Sequence, residues 1–261
     1  MSLVQNTIVG RNLSDAWAKA LIRCHTVTGG VLAPAIVEFP APATGQSIED
    51  EGIRVLVEKH LRNLHHPERI ETIAGTIFPY SIWRWAKGDR AKFFSAYIQG
   101  IDRILRCQGN CNGVYFARMV AFPDQSGNTI NQLEQVISTW NGGNHRHSAL
   151  QAAVFNPFRD LTDQRQRGFP CLQQLAFYPE GTNGVDGLSV VAFYANQNLI
   201  EKGYGNYLGL YRLGEFIAHE MGLRLSKVVC VASALKLGKE PKIKSSKLVN
   251  DIRALVSDAT A

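Results

Sequence analysis

Cys171 follows a proline at the head of an apolar run, in the segment Arg167-Gly168-Phe169-Pro170-Cys171, with Arg165 close by. Nearby positive charge favours the thiolate, the form in which cysteine acts as a nucleophile. On this feature alone the residue reads first as a small buried hydrophobe, the commoner state of a free cysteine. The chain has five cysteines, and 24, 107, 111 and 230 are the others. An odd number, widely spread, does not form a disulfide framework. Cys107 and Cys111 have no second Cys/His pair at zinc-finger spacing, so no metal is expected.

The elements that must position Cys171 follow from hydropathy. Residues 171–178 and 188–194 read as two strands joined by the polar, glycine-rich loop 180–187. Residues 207–221 read as an amphipathic helix with Leu210, Leu213, Ile217 and Met221 on one face, and 228–232 as a buried strand. Upstream, helices are expected at 14–24, capped by Ser14, at 52–64 and at 91–106. The spacing of Ile130, Leu133, Ile137 and Trp140 gives a further helix, ending at Gly142-Gly143. Residues 31–39 and 151–155 are strand candidates, and 76–86 is an apolar stretch with two tryptophans. The expected fold is one mixed α/β domain over 1–261, with its strands concentrated in the C-terminal half.

Composition sets limits. A chain of 261 residues that is 45% hydrophobic and 19% charged can bury a large core and is not a disordered segment. No apolar run reaches the roughly 18–20 residues that span a bilayer. Residues 1–12 lack a basic region followed by an apolar one, so the cytoplasm is the expected location. The formal net charge is +6, with Lys236, Lys239, Lys242, Lys244 and Lys247 contributing much of it. Residues 239–261 are read as a solvated basic tail that attracts anions. No aromatic platform is interleaved with these lysines, so nucleic acid is disfavoured as a partner.

Four blocks in one order give the chain a resemblance to the thymidylate synthase and pyrimidine hydroxymethylase superfamily. LSVVAFYANQ, NLIEKGYGN ending at Asn206, YLGLYRLGEFIAHEMGL and SKVVCVASALKL together resemble the family's strand, polar loop, Asn, long helix and following strand. Pro170-Cys171 running to Phe177-Tyr178 is similar to its nucleophile segment. Gly113-Val114-Tyr115, Pro123, Gly127, Ile130 and Gln132 form a third block, and Trp83 with Gly88-Asp89 a fourth.

The resemblance implies a large mixed sheet flanked by helices, a homodimer, and covalent chemistry. In that chemistry Cys171 adds to C6 of a pyrimidine, and C5 then accepts a methyl or hydroxymethyl group from 5,10-methylenetetrahydrofolate. It implies that Tyr115 lies against Cys171, that Asn206 pairs with the pyrimidine edge, and that Asn198 falls where an Asp helps to hold folate. Arg146, Arg165, Arg167 and Trp83 are the remaining substrate-binding candidates. Taken as residues alone, Tyr115 serves equally as a core aromatic, and Asn206 as the cap of helix 207–221.

The departures from the family point one way. Leu172 replaces a His, and Tyr194, Ala195 and Asn196 replace a phosphate-gripping Gln-Arg-Ser. Ser148 and Ala149 replace paired arginines that cross the dimer, leaving Arg146 nearby. Lys236 and Gly238 replace the ribose-binding His and Tyr, and Ser81 stands for the catalytic Glu. Loss of charge-assisted contacts of this kind is expected to abolish ordinary nucleotide monophosphate binding. A non-catalytic homodimer that binds a nucleotide-like ligand, or acts as a scaffold, is the alternative expectation.

Overall fold

Pro34 divides the apolar run 31–39. It has no N–H to give to a ladder, and the segment forms two strands rather than one. The structure is a computed structural model that describes residues 6–43, 45–107, 110–143, 145–163, 169–239 and 241–258. In chain order the elements begin with β1 (Thr7–Val9), α1 (Leu13–Thr26), β2 (Val31–Leu32), β3 (Ala35–Pro40) and α2 (Glu51–Asn63). They continue with α3 (Ile70–Ile77), α4 (Tyr80–Ala86), α5 (Arg90–Leu105), α6 (Tyr115–Val120), β4 (Phe122–Pro123), β5 (Thr129–Ile130) and α7 (Gln132–Asn141). Then come β6 (Gln151–Ala153), α8 (Pro157–Asp160), β7 (Leu172–Glu180), β8 (Gly187–Tyr194) and β9 (Gln197–Asn198). A π-helical turn, Leu199–Gly203, leads into α9 (Tyr204–Glu220), followed by β10 (Leu225–Ala232), β11 (Leu235–Lys236) and α10 (Lys242–Asp258).

The main sheet runs β1-β3-β10-β8-β7-β6. β1 is parallel to β3 and β10 to β8, while the other neighbours are antiparallel. The fold is therefore mixed α/β around one large mixed sheet. Most strand residues lie in the C-terminal half, as expected, while β1 and β3 build one edge and pair through β10 with strands from the far end of the chain. The three-residue β1 is too short to have shown a period.

Alternation along the strands puts Val37, Phe39, Leu175, Phe177, Val190, Ala192, Val228 and Cys230 on one buried face. Helices cover that face, α1 on β1 and β3, α9 on β8 and β10, α6 and α7 on β6. Side chains of the other face stay open: Val9, Tyr178 and Phe193 are 55%, 51% and 41% exposed, and Ile36, Val191, Val229 and Val231 are half-buried.

Three local expectations change. Asn12, not Ser14, caps α1 by accepting the Asp15 N–H at 2.9 Å. Ser14 is fully buried; its hydroxyl pairs with the Tyr204 hydroxyl at 2.7 Å and accepts the Asp50 N–H at 2.8 Å. Ile130 belongs to β5 and is 51% exposed rather than on the helix. The basic segment 239–261 is not simply a solvated tail, because α10 packs on α1 and α2 and buries Leu248, Val249 and Ile252. Its many lysines outweighed that apolar stripe in hydropathy.

α9 lies very close to α3. A Cβ on Gly205 would meet the Ile73 Cβ at 2.6 Å, and one on Gly209 would meet the Ala74 carbonyl oxygen at 2.8 Å. This approach fixes α9 over the sheet and, with it, the chain leading in from β8.

Candidate active site

Cys171 precedes β7, and Leu172 pairs with Tyr194 at the end of β8. β10 ends beside β8, and β11 follows, pairing Lys236 with Asn198 of β9. Cys171, residues 194–198, the start of α9 and the β11 turn therefore share one end of the sheet. The Ala195 N–H donates to the Cys171 carbonyl at 3.0 Å, and the Gln197 N–H to that of Ala234 at 2.9 Å.

Tyr115 reaches this end from the first turn of α6. Its hydroxyl lies within electrostatic reach of the Cys171 thiol and of the backbone of 171 and 172. Phe169 stacks on the Tyr115 ring with centroids 5.3 Å apart, and the Arg118 guanidinium lies 5.3 Å over the other ring. Gly113 makes this possible: its φ is +134°, and a Cβ there would meet Phe169 at 2.5 Å. Arg118 is itself fixed by a buried bidentate pair with Asp160, at 2.9 and 3.1 Å.

Burial pushes the Cys171 thiol above its ordinary value, while the Tyr115 hydroxyl, then Lys239, then Lys236 pull it back. Desolvation disfavours the thiolate, and a donor and two cations favour it. Burial also raises the Tyr115 phenol far above its usual range, so it acts as a hydrogen-bond donor and not as a charge.

Several buried polar atoms at this end have no hydrogen-bond partner: the Tyr194 hydroxyl, Asn196 Oδ1, Gln197 Nε2 and Glu201 Oε2. Tyr194 is fully buried, and Cys171 and Tyr115 lie within its electrostatic reach. Gln197 accepts the Tyr207 hydroxyl at 3.1 Å, which leaves its amide N–H groups unused. Unsatisfied buried groups are costly, and they gather where ligands bind to α/β sheets, at strand ends near a crossover.

The other expected residues divide. Asn206 is 4% exposed and stands inside the first turn of α9, which starts at Tyr204, so it is not the helix cap. Asn198 is half-buried on β9. Trp83 packs edge-on against Phe93 and Phe216, with centroids 5.3 and 4.8 Å away, as part of the aromatic core. Ser81 is exposed on α4. Arg146 is exposed just before the turn whose His147 ring meets Tyr178 at 5.4 Å. Tyr178 lies seven residues along β7 from Cys171, roughly 23 Å at the usual strand rise, so Arg146 is not joined to Cys171 within one chain. Arg165 and Arg167 lie outside the described residues.

Sequence reasoning gave Lys236 and Lys239 to a basic run read as a solvated, anion-attracting tail, passed over Glu201 and recorded Tyr194 only as a substituted position. The signal for Glu201 was an acid inside the apolar stretch Leu199-Ile200, followed by Gly203. A separate cavity of ≈ 510 Å³ opens between α5, α6 and β5, lined by Ile98, Ile101, Asp102, Leu105, Val114 and Arg118 among others, and Cys171 is not part of its wall. Among the described residues no group of three or more His, Cys, Asp or Glu side chains is placed to hold a metal ion.

No protein-family model matches this chain, and no curated protein matches its sequence.

Proposed function

We propose that the protein is a thymidylate-synthase-like enzyme that uses Cys171 as a covalent nucleophile for one-carbon transfer to C5 of a pyrimidine. The observation that carries this reading is the placing of Tyr115 against Cys171 at the end of the sheet, its hydroxyl within reach of the thiol and pulling it toward the thiolate. Core aromatics and core cysteines have no need of each other's polar atoms, whereas a donor at a thiol stabilises the thiolate as it forms.

The step is addition of the thiolate to C6, forming the S–C6 bond and moving the C5=C6 electron pair to C5. C5 then bonds to a one-carbon electrophile and loses its proton to solvent. Expulsion of the thiolate restores the double bond. Asn206 offers an amide that both donates and accepts, as an adjacent C=O and N–H require.

The donor set does not match 5,10-methylenetetrahydrofolate. Asn198, at the position the resemblance assigns to folate, is an uncharged amide, and no step is derived through that cofactor. The working unit is proposed to be a homodimer joined through the open sheet face, where Val9, Tyr178 and Phe193 are exposed among half-buried valines.

The test uses uracil, deoxyuridine and deoxyuridylate labelled with tritium at C5, each with and without the folate. Release of tritium that is abolished by Cys171→Ala is the expected result, and full release by that variant sinks the reading. One observation favours a non-catalytic binding protein instead: burial raises the Cys171 thiol. Calorimetric binding of one of these molecules without tritium release decides for it.

A further inference from the structure

On α5, Phe93, Phe94 and Tyr97 are buried in the core, and the apolar stripe runs on through Ile98, Ile101 and Leu105. These last three line the ≈ 510 Å³ cavity, and Ile98 is left 43% exposed. A lone surface isoleucine means little, but apolar residues gathered on a concave wall offer a ligand area to bury. Val114 and Ala117 of α6, with Pro123 and Thr129 of the β4–β5 hairpin, complete that wall. The hairpin is held in shape by Asp124, whose Oδ1 accepts the N–H groups of Ser126 and Asn128, both at 2.8 Å. A wall built in advance in this way spares a ligand the cost of ordering it. The volume falls within the roughly 300–1,000 Å³ of small-molecule pockets.

The charges along the wall cancel. Arg118 is 6% exposed and already paired with Asp160, while Asp102 and Arg159 are exposed and of opposite sign. These four groups sum to zero on a chain whose formal net charge is +6. A charged occupant would leave water for a place with no excess of the opposite charge, which is unfavourable. A neutral one loses nothing and gains the apolar contact.

We propose that this cavity is a binding site for a small, neutral, largely apolar molecule, separate from the Cys171 end of the sheet. The site stands whether or not Cys171 is a nucleophile.

Fluorescence titration of the intact chain with N-phenyl-1-naphthylamine, a neutral probe that emits strongly only in apolar surroundings, tests it. Saturable binding is expected. Thr129→Phe puts a ring into the cavity from the hairpin, and Ile98→Lys sets a charge on its wall. Each is expected to weaken binding by roughly tenfold, about 1.4 kcal/mol. Both positions are exposed, so neither change disturbs the core. Phe193→Glu, on the open sheet face, is expected to leave the binding unchanged. The related anion 8-anilinonaphthalene-1-sulfonate is expected to bind roughly tenfold more weakly despite the chain's positive charge.

Two thiols report the location. Cys111 lines the cavity and Cys107 does not, although both are exposed. The neutral probe is expected to slow iodoacetamide alkylation of Cys111 severalfold and to leave Cys107 at its former rate. Both lie on one tryptic peptide, between Arg106 and Arg118, so fragment ions distinguish them. No saturable binding, binding that neither cavity variant weakens, binding lost in Phe193→Glu, or equal protection of the two thiols overturns the site. Sulfonate binding that is as tight as that of the neutral probe, and is lost in Thr129→Phe, overturns the neutral class of ligand.

Discussion

A hydroxyl set on a thiol separates a reactive cysteine from a merely buried one. Burial and the Tyr115 hydroxyl act on Cys171 in opposite directions, with burial the stronger, so the thiol lies above its ordinary value. The groups facing it are Tyr115 from α6, Tyr194 from β8, and Lys236 and Lys239 from the β11 turn. Alkylation of Cys171 by iodoacetamide is therefore expected to rise with pH through a midpoint above that of an exposed thiol. Tyr115→Phe keeps the ring on Phe169 and deletes only the donor, so it moves the midpoint higher and slows alkylation at pH 8. A midpoint that stays put or falls contradicts the pull of Tyr115 on the thiol. At this scale it was the resemblance that paired Cys171 with Tyr115 before any coordinates; taken alone, Tyr115 read equally as a core aromatic. The sequence was silent where the neighbour decides. Nothing in Glu201 or Lys239 announces that the carboxylate of one accepts the backbone N–H of the other, because that contact depends on a π-turn and on Gly238.

Elements were legible in proportion to their length and regularity. The long strands β7, β8 and β10 and the helices α5 and α9 fall where hydropathy puts them, since each has enough residues to display its period. Short pieces escaped, as did α10, whose apolar stripe is diluted by lysines. The start of α9 was placed late because Tyr204 and Gly205 look like loop residues. Gly205 and Gly209 instead serve a close crossing with α3. Gly209→Ala tests it. Helix propensity favours alanine by about 1 kcal/mol, but overpacking costs about 1–3 kcal/mol, and the first atom met is a backbone oxygen that yields little. A net loss of about 1 kcal/mol or more in urea denaturation is expected on that balance. Unchanged or increased stability shows that the helices can move apart at no cost.

Over the whole molecule, the placing of helices on one face governs how the chain meets others. No helix among the described residues is long and apolar enough to cross a membrane. The opposite sheet face carries Val9, Tyr178 and Phe193 in the open, with Glu38 between Val9 and Val229 on the same face and the paired Lys227 and Glu180 beside it. Sedimentation at micromolar concentration is expected to give a dimer, and Phe193→Glu with Val229→Asp a folded monomer, since like charges would then be buried against an apolar partner. A wild-type monomer, or a variant that remains dimeric, refutes sheet-face association. The strands were legible in advance as apolar runs; that one face of the sheet lacks helices was not. That depends on strand order, and the decisive pairing, β3 with β10, joins distant parts of the chain.

That pairing also sets a timetable for synthesis. β3 leaves the ribosome early, yet its partner β10 is completed only after most of the chain has been made. At 5–20 residues per second the interval is roughly 10–40 s. Throughout it β3 can pair with β1 alone, and its second edge and apolar residues Val37 and Phe39 remain uncovered by the neighbour they will finally have. The nascent chain therefore passes through a long period in which its N-terminal strands are open to chaperones and to one another, and it ends when β10 inserts between two strands already made.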